Sequence, residues 1–170
     1  MALKPRQPAP AFDIPLLDGG TWNLKDSRPE SFTMIVVYSG LHCPICKTYL
    51  SGIETKLSEF AKRGVAVVAT SADSQERAQQ ARGDWGLNNL KLGYSLALAT
   101  ARDWGLFVSR AIRDGEPPEF VEPGLFLVKP DGTLFFAAIG SAPWGRPPLD
   151  QVLRGIDVAL ERKMPARGEA

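Results

Sequence analysis

Two cysteines, Cys43 and Cys46, are the only thiols in the chain, and they lie three positions apart in Tyr38-Ser39-Gly40-Leu41-His42-Cys43-Pro44-Ile45-Cys46-Lys47. Thiols at this spacing can cycle between dithiol and disulfide. The apolar run before them, Met34-Ile35-Val36-Val37-Tyr38, reads as a buried strand. Leu50, Ile53, Leu57 and Phe60 after them share one face of a helix. A Cys-x-x-Cys where a strand meets a helix is a redox motif in a βαβ setting. The helix amino end carries about half a positive charge and favours a thiolate over a thiol. Cys43, nearer that end and less shielded, is the expected nucleophile. Cys46, one turn deeper on the same face, is placed to resolve a mixed disulfide on it. Pro44 suits a first helical turn, where a missing N–H costs nothing.

Other groups near the pair have weaker claims. Zinc takes about four N, S or O ligands, whereas His42 is the sole histidine and there is no second cysteine pair. No metal or organic cofactor is implied. His42 is either a solvated side chain or an imidazolium that steadies the neighbouring thiolate. Lys47, Arg110 and Arg113 read by default as solvated cations, and Trp144 as loop packing or the wall of a substrate groove.

The elements that must hold the pair follow from pattern. An extended arm around Pro8–Phe12 and a small hairpin over Leu16–Thr21, turning at Asp18-Gly19-Gly20, open the chain. Strands are expected at Thr33–Tyr38 and Val65–Thr70, flanking a helix from Pro44 to about Lys62 that ends at Gly64. A second helix should run from Ser74 to about Trp85 with Asp73 or Ser74 as its cap. A short strand at Leu92–Leu98 and a short helix at Ala101–Leu106 come next. The charged, Pro-rich stretch from Ala111 to Glu122 reads as loop. Leu125–Lys129 and Leu134–Ile139 form a hairpin around Pro130-Asp131-Gly132. Leu149, Val152, Leu153, Ile156 and Leu160 mark a final amphipathic helix, and the polar tail beyond Met164 is expected to fray. This order predicts an α/β fold: a mixed central sheet with helices on both faces and an amino-terminal extension.

Composition narrows the function. With 170 residues the chain reads as one domain over 1–170, its core at about 5–162. Twenty basic and nineteen acidic residues nearly cancel, so no nucleic-acid or anionic-membrane partner is marked. No apolar run nears the roughly 18 residues of a membrane span. The start lacks the apolar segment of a secretory signal, which makes cytoplasmic the expected location.

The element order resembles the thioredoxin fold, and the fuller pattern resembles the AhpC/TSA (peroxiredoxin-like, redoxin) family. That pattern is Ala9-Pro10-Ala11-Phe12, the Tyr-x-Gly-x-x-Cys-Pro-x-Cys segment, and Pro123-Gly124-Leu125-Phe126-Leu127-Val128-Lys129-Pro130-Asp131-Gly132. The resemblance implies a thiol-dependent oxidoreductase that reduces hydroperoxides or protein disulfides through Cys43 and Cys46. A thioredoxin or glutathione system would recycle it. It also implies a cis bond before Pro123, facing the cysteines, with His42 and Pro123 on the substrate side. Typical peroxiredoxins carry Pro-x-x-x-Thr-x-x-Cys. Setting that cysteine at Cys43 puts Val36 and Gly40 where Pro and Thr belong, and setting it at Cys46 puts Ser39 and Cys43 there. Neither register supplies the Thr hydroxyl. Val37 stands where thioredoxins carry an interior carboxylate, and Ser39 where relatives of this segment often carry Arg. A non-catalytic redox sensor or adaptor is the alternative class. Which cysteine attacks, peroxidase against disulfide-reductase activity, substrate, reductant, reduction potential and oligomeric state are left open.

Overall fold

The structure, a computed structural model, describes residues 3–170. Met1 and Ala2, which begin the segment read for a secretory signal, lie outside the described residues. The centre is a five-stranded sheet built from β3 (Phe32–Val37), β4 (Val65–Thr70), β5 (Lys91–Leu92), β8 (Gly124–Val128) and β9 (Leu134–Ile139), in the order β5-β4-β3-β8-β9. β3, β4 and β5 run parallel, while β8 runs antiparallel to β3 and to β9. The sheet is therefore mixed, as the pattern predicted.

Every residue of β3 and β8 is buried because side chains alternate between two covered faces. Met34, Val36, Leu125 and Leu127 join one core with Leu50, Ile53 and Phe60 of α1 (Pro44–Lys62) and Val152, Leu153 and Ile156 of α4 (Leu149–Glu161). Ala81 and Trp85 of α2 (Gln75–Trp85) extend it. Ile35, Val37, Phe126 and Val128 join the opposite core with Phe12, Ile14, Trp104 and Ala101 of α3 (Leu98–Asp103). The amino-terminal arm closes this second face. Its hairpin pairs β1 (Asp13–Pro15) with β2 (Thr21–Asn23), and the Trp104 indole N–H donates to the Ala11 carbonyl at 3.1 Å. Helices therefore cover both faces. Among the described residues no helix is long and apolar enough to cross a membrane.

Four expectations are corrected. The stretch read as loop is bounded by a two-stranded hairpin, β6 (Val108–Arg110) with β7 (Glu119–Val121), which leaves 111–118 and Glu122 free of strand. Three-residue strands are too short to show period-2 alternation. The strand expected at 92–98 stops at Leu92, and the helix expected at 101–106 begins at Leu98 and is closed by Gly105 at φ 73°. The tail is fastened instead of frayed. Arg6 Nε donates to the Ala166 carbonyl at 2.8 Å, Arg6 pairs with Glu169 at 3.1 Å, and Ala166 is buried.

Candidate active site

The pair lies where β3 passes into α1, and the two sulfurs are joined as a disulfide with the Cα atoms 5.2 Å apart. Cys43 is the N-cap of α1. Its backbone is extended, its carbonyl accepts the Lys47 N–H at 3.1 Å, and its sulfur accepts the Cys46 N–H at 3.1 Å. The sulfur thus takes the place of the usual Ser or Asp oxygen at a helix start, facing the unpaired N–H groups of the first turn.

The entry to α1 is fixed from α2. Asp73, buried just before that helix, accepts the Leu41 N–H through Oδ2 at 2.7 Å and the Arg77 Nε–H through Oδ1 at 3.0 Å. Gly40 passes so close that a Cβ would stand 2.8 Å from Asp73 Oδ1, and its φ of 139° is disfavoured for L side chains. At the cap, Ser74 Oγ accepts the Arg77 N–H at 3.3 Å, which decides between the two expected caps.

A cleft of about 400 Å³ opens beside Cys43. Pro44, Ile45, Ile112, Phe120 and Pro143 supply apolar walls, and Ser39, His42, Ser109, Arg110, Arg113, Glu116 and Glu122 supply polar ones. The β6–β7 hairpin that sequence hid contributes half of this lining. Glu122 is buried and accepts from Ser109 Oγ at 2.6 Å and from Ser39 Oγ at 3.5 Å. Arg113 pairs with Glu116 at 2.9 Å. Arg110 and Arg113, read as surface cations, are exposed but stand on the rim of the cleft.

His42 reaches the cleft as expected, its ring edge-on to Phe120 at 4.6 Å between centroids. Burial pushes its imidazole below the ordinary histidine value, against the opposing pull of Asp73 and Glu116. The charged imidazolium is thus disfavoured in the disulfide form. Lys47 is exposed and takes no part in the described contacts of the sulfurs, and Val37 is buried, as read. Trp144 is 77% exposed.

The bond before Pro123 is trans, which corrects the expected cis bond. The backbone there runs extended from β7 straight into β8. The Glu122 N–H donates to the Phe107 carbonyl at 2.8 Å, and Gly124 already sits in the sheet opposite Val37. With both sides held in ladders, the trans form that X–Pro prefers by about 0.5–1 kcal/mol is retained. Pro123 is buried beside the site, its carbonyl accepting the Gly140 N–H at 3.0 Å. Glu122, one residue earlier, lines the cleft in its place.

Arg146 is the residue that sequence reasoning missed. It lies in the loop between β9 and α4, 100 positions from Cys46, and its Nη2 donates to Cys46 Sγ at 2.9 Å. Nη1 donates to the Pro143 carbonyl at 2.7 Å, and the guanidinium lies 5.1 Å from the centroid of Tyr49. Tyr49 belongs to the helix of the cysteines, and its hydroxyl donates to the Pro147 carbonyl at 2.7 Å, tying the loop down. Burial lowers the guanidinium to about 10, opposed by Tyr49 and Glu122, so it stays charged at neutral pH. No local pattern announces a contact of this range.

The AhpC/TSA family model matches residues 5–137, most of the chain and both cysteines. The chain belongs to the AhpC/TSA family. Among curated relatives, peroxiredoxin tpx1 of Schizosaccharomyces pombe is 27% identical over 175 residues, covering 92% of this chain and 82% of the relative. A cysteine-to-serine mutant of peroxiredoxin 6 from Arenicola marina superposes with a TM-score of 0.78 at 19% identity, over 96% of this chain and 76% of that one. Mycobacterium tuberculosis AhpC gives 0.76 at 17% identity, over 96% and 97%. These structural likenesses establish a shared thioredoxin-like fold, and the family match covers the segment that carries the disulfide.

Proposed function

We propose that this AhpC/TSA chain is a peroxiredoxin-like thiol peroxidase in which Cys43 attacks and Cys46 resolves. One observation carries the assignment: Cys43 caps α1 and lines the cleft, whereas Cys46 is fully buried behind it. In the reduced protein the Cys43 thiolate attacks the distal oxygen of a hydroperoxide. The S–O bond forms, the O–O bond breaks, and the leaving alkoxide or hydroxide takes a proton. Cys43 becomes a sulfenic acid. The Cys46 thiolate then attacks that sulfur, expelling hydroxide, which is protonated to water, and the disulfide of the structure results. A dithiol reductant of the thioredoxin kind returns the pair to thiols by exchange.

With the family's attacking cysteine set at Cys43, its Thr position is Gly40, so the peroxide must find its hydroxyl elsewhere. Ser39 and Ser109 both line the cleft, and both donate to Glu122. With their hydrogens committed, their oxygens are left as acceptors for a peroxide O–H.

Stopped-flow oxidation of the reduced protein by hydrogen peroxide and by an organic hydroperoxide tests the reading, with insulin reduction measured alongside. Oxidation is expected to be far faster than that of free cysteine. Cys46→Ser should trap a sulfenic acid that dimedone captures, while Cys43→Ser should react slowly. Oxidation no faster than that of free cysteine, or a sulfenic acid confined to Cys46, would overturn it.

A further inference from the structure

Resting on the peroxidase reading proposed above, we infer that Ser109 is the hydroxyl that receives the hydroperoxide beside Cys43, that Glu122 is its positioning residue, and that the pair favours a hydroperoxide over a disulfide as oxidant. Glu122 is 6% exposed, yet among the described residues no cation forms an ion pair with its carboxylate. A buried carboxylate is costly, and an apolar side chain in its place would not be. Its side-chain partners are two hydroxyls from separate elements. Ser109 of β6 donates to Oε1 at 2.6 Å, and Ser39, between β3 and α1, donates to Oε2 at 3.5 Å. The carboxylate, both hydroxyls and Cys43 line one cleft. A buried acid that gathers hydroxyl protons on the wall of a reactive site fixes which way the hydrogen bonds of that wall run.

The donor count sets the direction. A carboxylate only accepts, so the single proton of each hydroxyl is turned to Glu122 and the oxygen keeps its lone pairs for a donor from the cleft. Ser109 is placed to use them. It is half-buried and holds the shorter bond to Glu122, whereas Ser39 is 2% exposed. A hydroperoxide carries a hydrogen on the oxygen that Cys43 attacks, and that O–H donates to Ser109 Oγ. The bond holds the oxygen at the thiolate. The S–O bond then forms, the O–O bond breaks, and the electron pair leaves on the far oxygen, which takes a proton from water. A disulfide has no such hydrogen. Docked at Cys43 it would cover Ser109 Oγ and leave that oxygen without a donor, and a site built to hydrogen-bond its substrate discriminates through that loss.

The experiment oxidises the reduced protein in stopped flow by hydrogen peroxide and, separately, by dipyridyl disulfide, which has no O–H or N–H to donate and releases an absorbing thione. The readout is the ratio of the peroxide rate to the disulfide rate. Ser109→Ala should lower this ratio about tenfold, the size of one hydrogen bond. Ser109→Thr keeps the hydroxyl and should recover most of it. Glu122→Gln, whose amide nitrogen can donate to Ser109 Oγ and occupy a lone pair, should also lower the ratio. Ser39→Ala should lower it less than Ser109→Ala. A wild-type ratio in Ser109→Ala, whether neither rate falls or both fall together, would overturn the inference, since a packing role slows both oxidants alike. A wild-type ratio in Glu122→Gln would overturn the positioning role, and a fall in Ser39→Ala as large as in Ser109→Ala would overturn the choice of hydroxyl. Failure of the peroxidase reading would appear separately, in wild-type oxidation by hydrogen peroxide no faster than that of free cysteine.

Discussion

Replacing Asp73 with alanine would reveal how firmly the approach to Cys43 is held from outside its own helix. The carboxylate is 1% exposed and supports two arms, the Leu41 N–H at 2.7 Å and Arg77 Nε at 3.0 Å. The Leu41 bond is charge-assisted and within the protein, which puts its loss at about 1.5–3 kcal/mol. The Arg77 side chain is 32% exposed, so solvent screens that arm, leaving about 0–1 kcal/mol. Together Asp73→Ala should destabilise by about 1.5–4 kcal/mol. At about 2–4 °C per kcal/mol for a chain of this size, the melting temperature should fall by about 3–16 °C. Arg77→Ala alone should cost no more than about 1 kcal/mol, because Leu41 keeps its acceptor. Thermal melts of the two single variants and the double variant give the comparison. If Arg77→Ala proves as costly as Asp73→Ala, the carboxylate serves the ion pair instead of the loop. If Asp73→Ala melts with wild type, the loop is held by other contacts, and the reasoning fails.

Three further substitutions probe the surroundings. Glu122→Leu removes the acceptor of Ser109 and Ser39 and should cost about 1–3 kcal/mol in a urea titration; an unchanged midpoint would show that the hydroxyls find other partners. His42 has a folded-state value depressed by burial, so between that value and about 6.5 the unfolded chain binds more protons. The His42 contribution is therefore full above about 6.5 and is lost as pH falls through this window. Unfolding series at several pH values should show a shallower acid decline in His42→Gln than in wild type, and parallel curves would refute it. Tyr49→Phe deletes the hydroxyl that holds Pro147; about 0.5–1.5 kcal/mol should be lost, and wild-type stability would show that the loop is held without it.

The strongly patterned elements were legible. β3, β4, α1, the β8–β9 hairpin and α4 appear within a residue or so of the sequence reading, because buried strands leave apolar runs and amphipathic helices leave a 3.6-residue period. The cap box of the site was legible as well, since Cys43, Pro44 and Cys46 are neighbours in sequence. The failures share a cause. The β6–β7 hairpin is six residues of strand around a charged loop, and its reason to exist is that Phe120 and Val121 are buried in the fold. The tail is held by Arg6, some 160 positions away. The bond before Pro123 is trans because β7 and β8 hold its two sides in register. In each case a long-range contact overrides the expectation, which for the hairpin and the tail came from a local signal and for Pro123 from the family resemblance.

The same distinction separates the two cysteines. What favours a thiolate at Cys43 is local: the helix start is written in residues 43 to 47, and any reading of that segment places the sulfur against open N–H groups. What acts on Cys46 is not local. Its position one turn into the helix and its complete burial would, taken alone, disfavour a charge, and on those grounds the sequence makes it the poorer thiolate. The guanidinium on its sulfur opposes that desolvation with a charge-assisted contact, set by Tyr49 from the same helix and by Pro143 from the loop. Burial and charge therefore act in opposite directions at one atom. Cys43 meanwhile lines the cleft, and Cys46 does not.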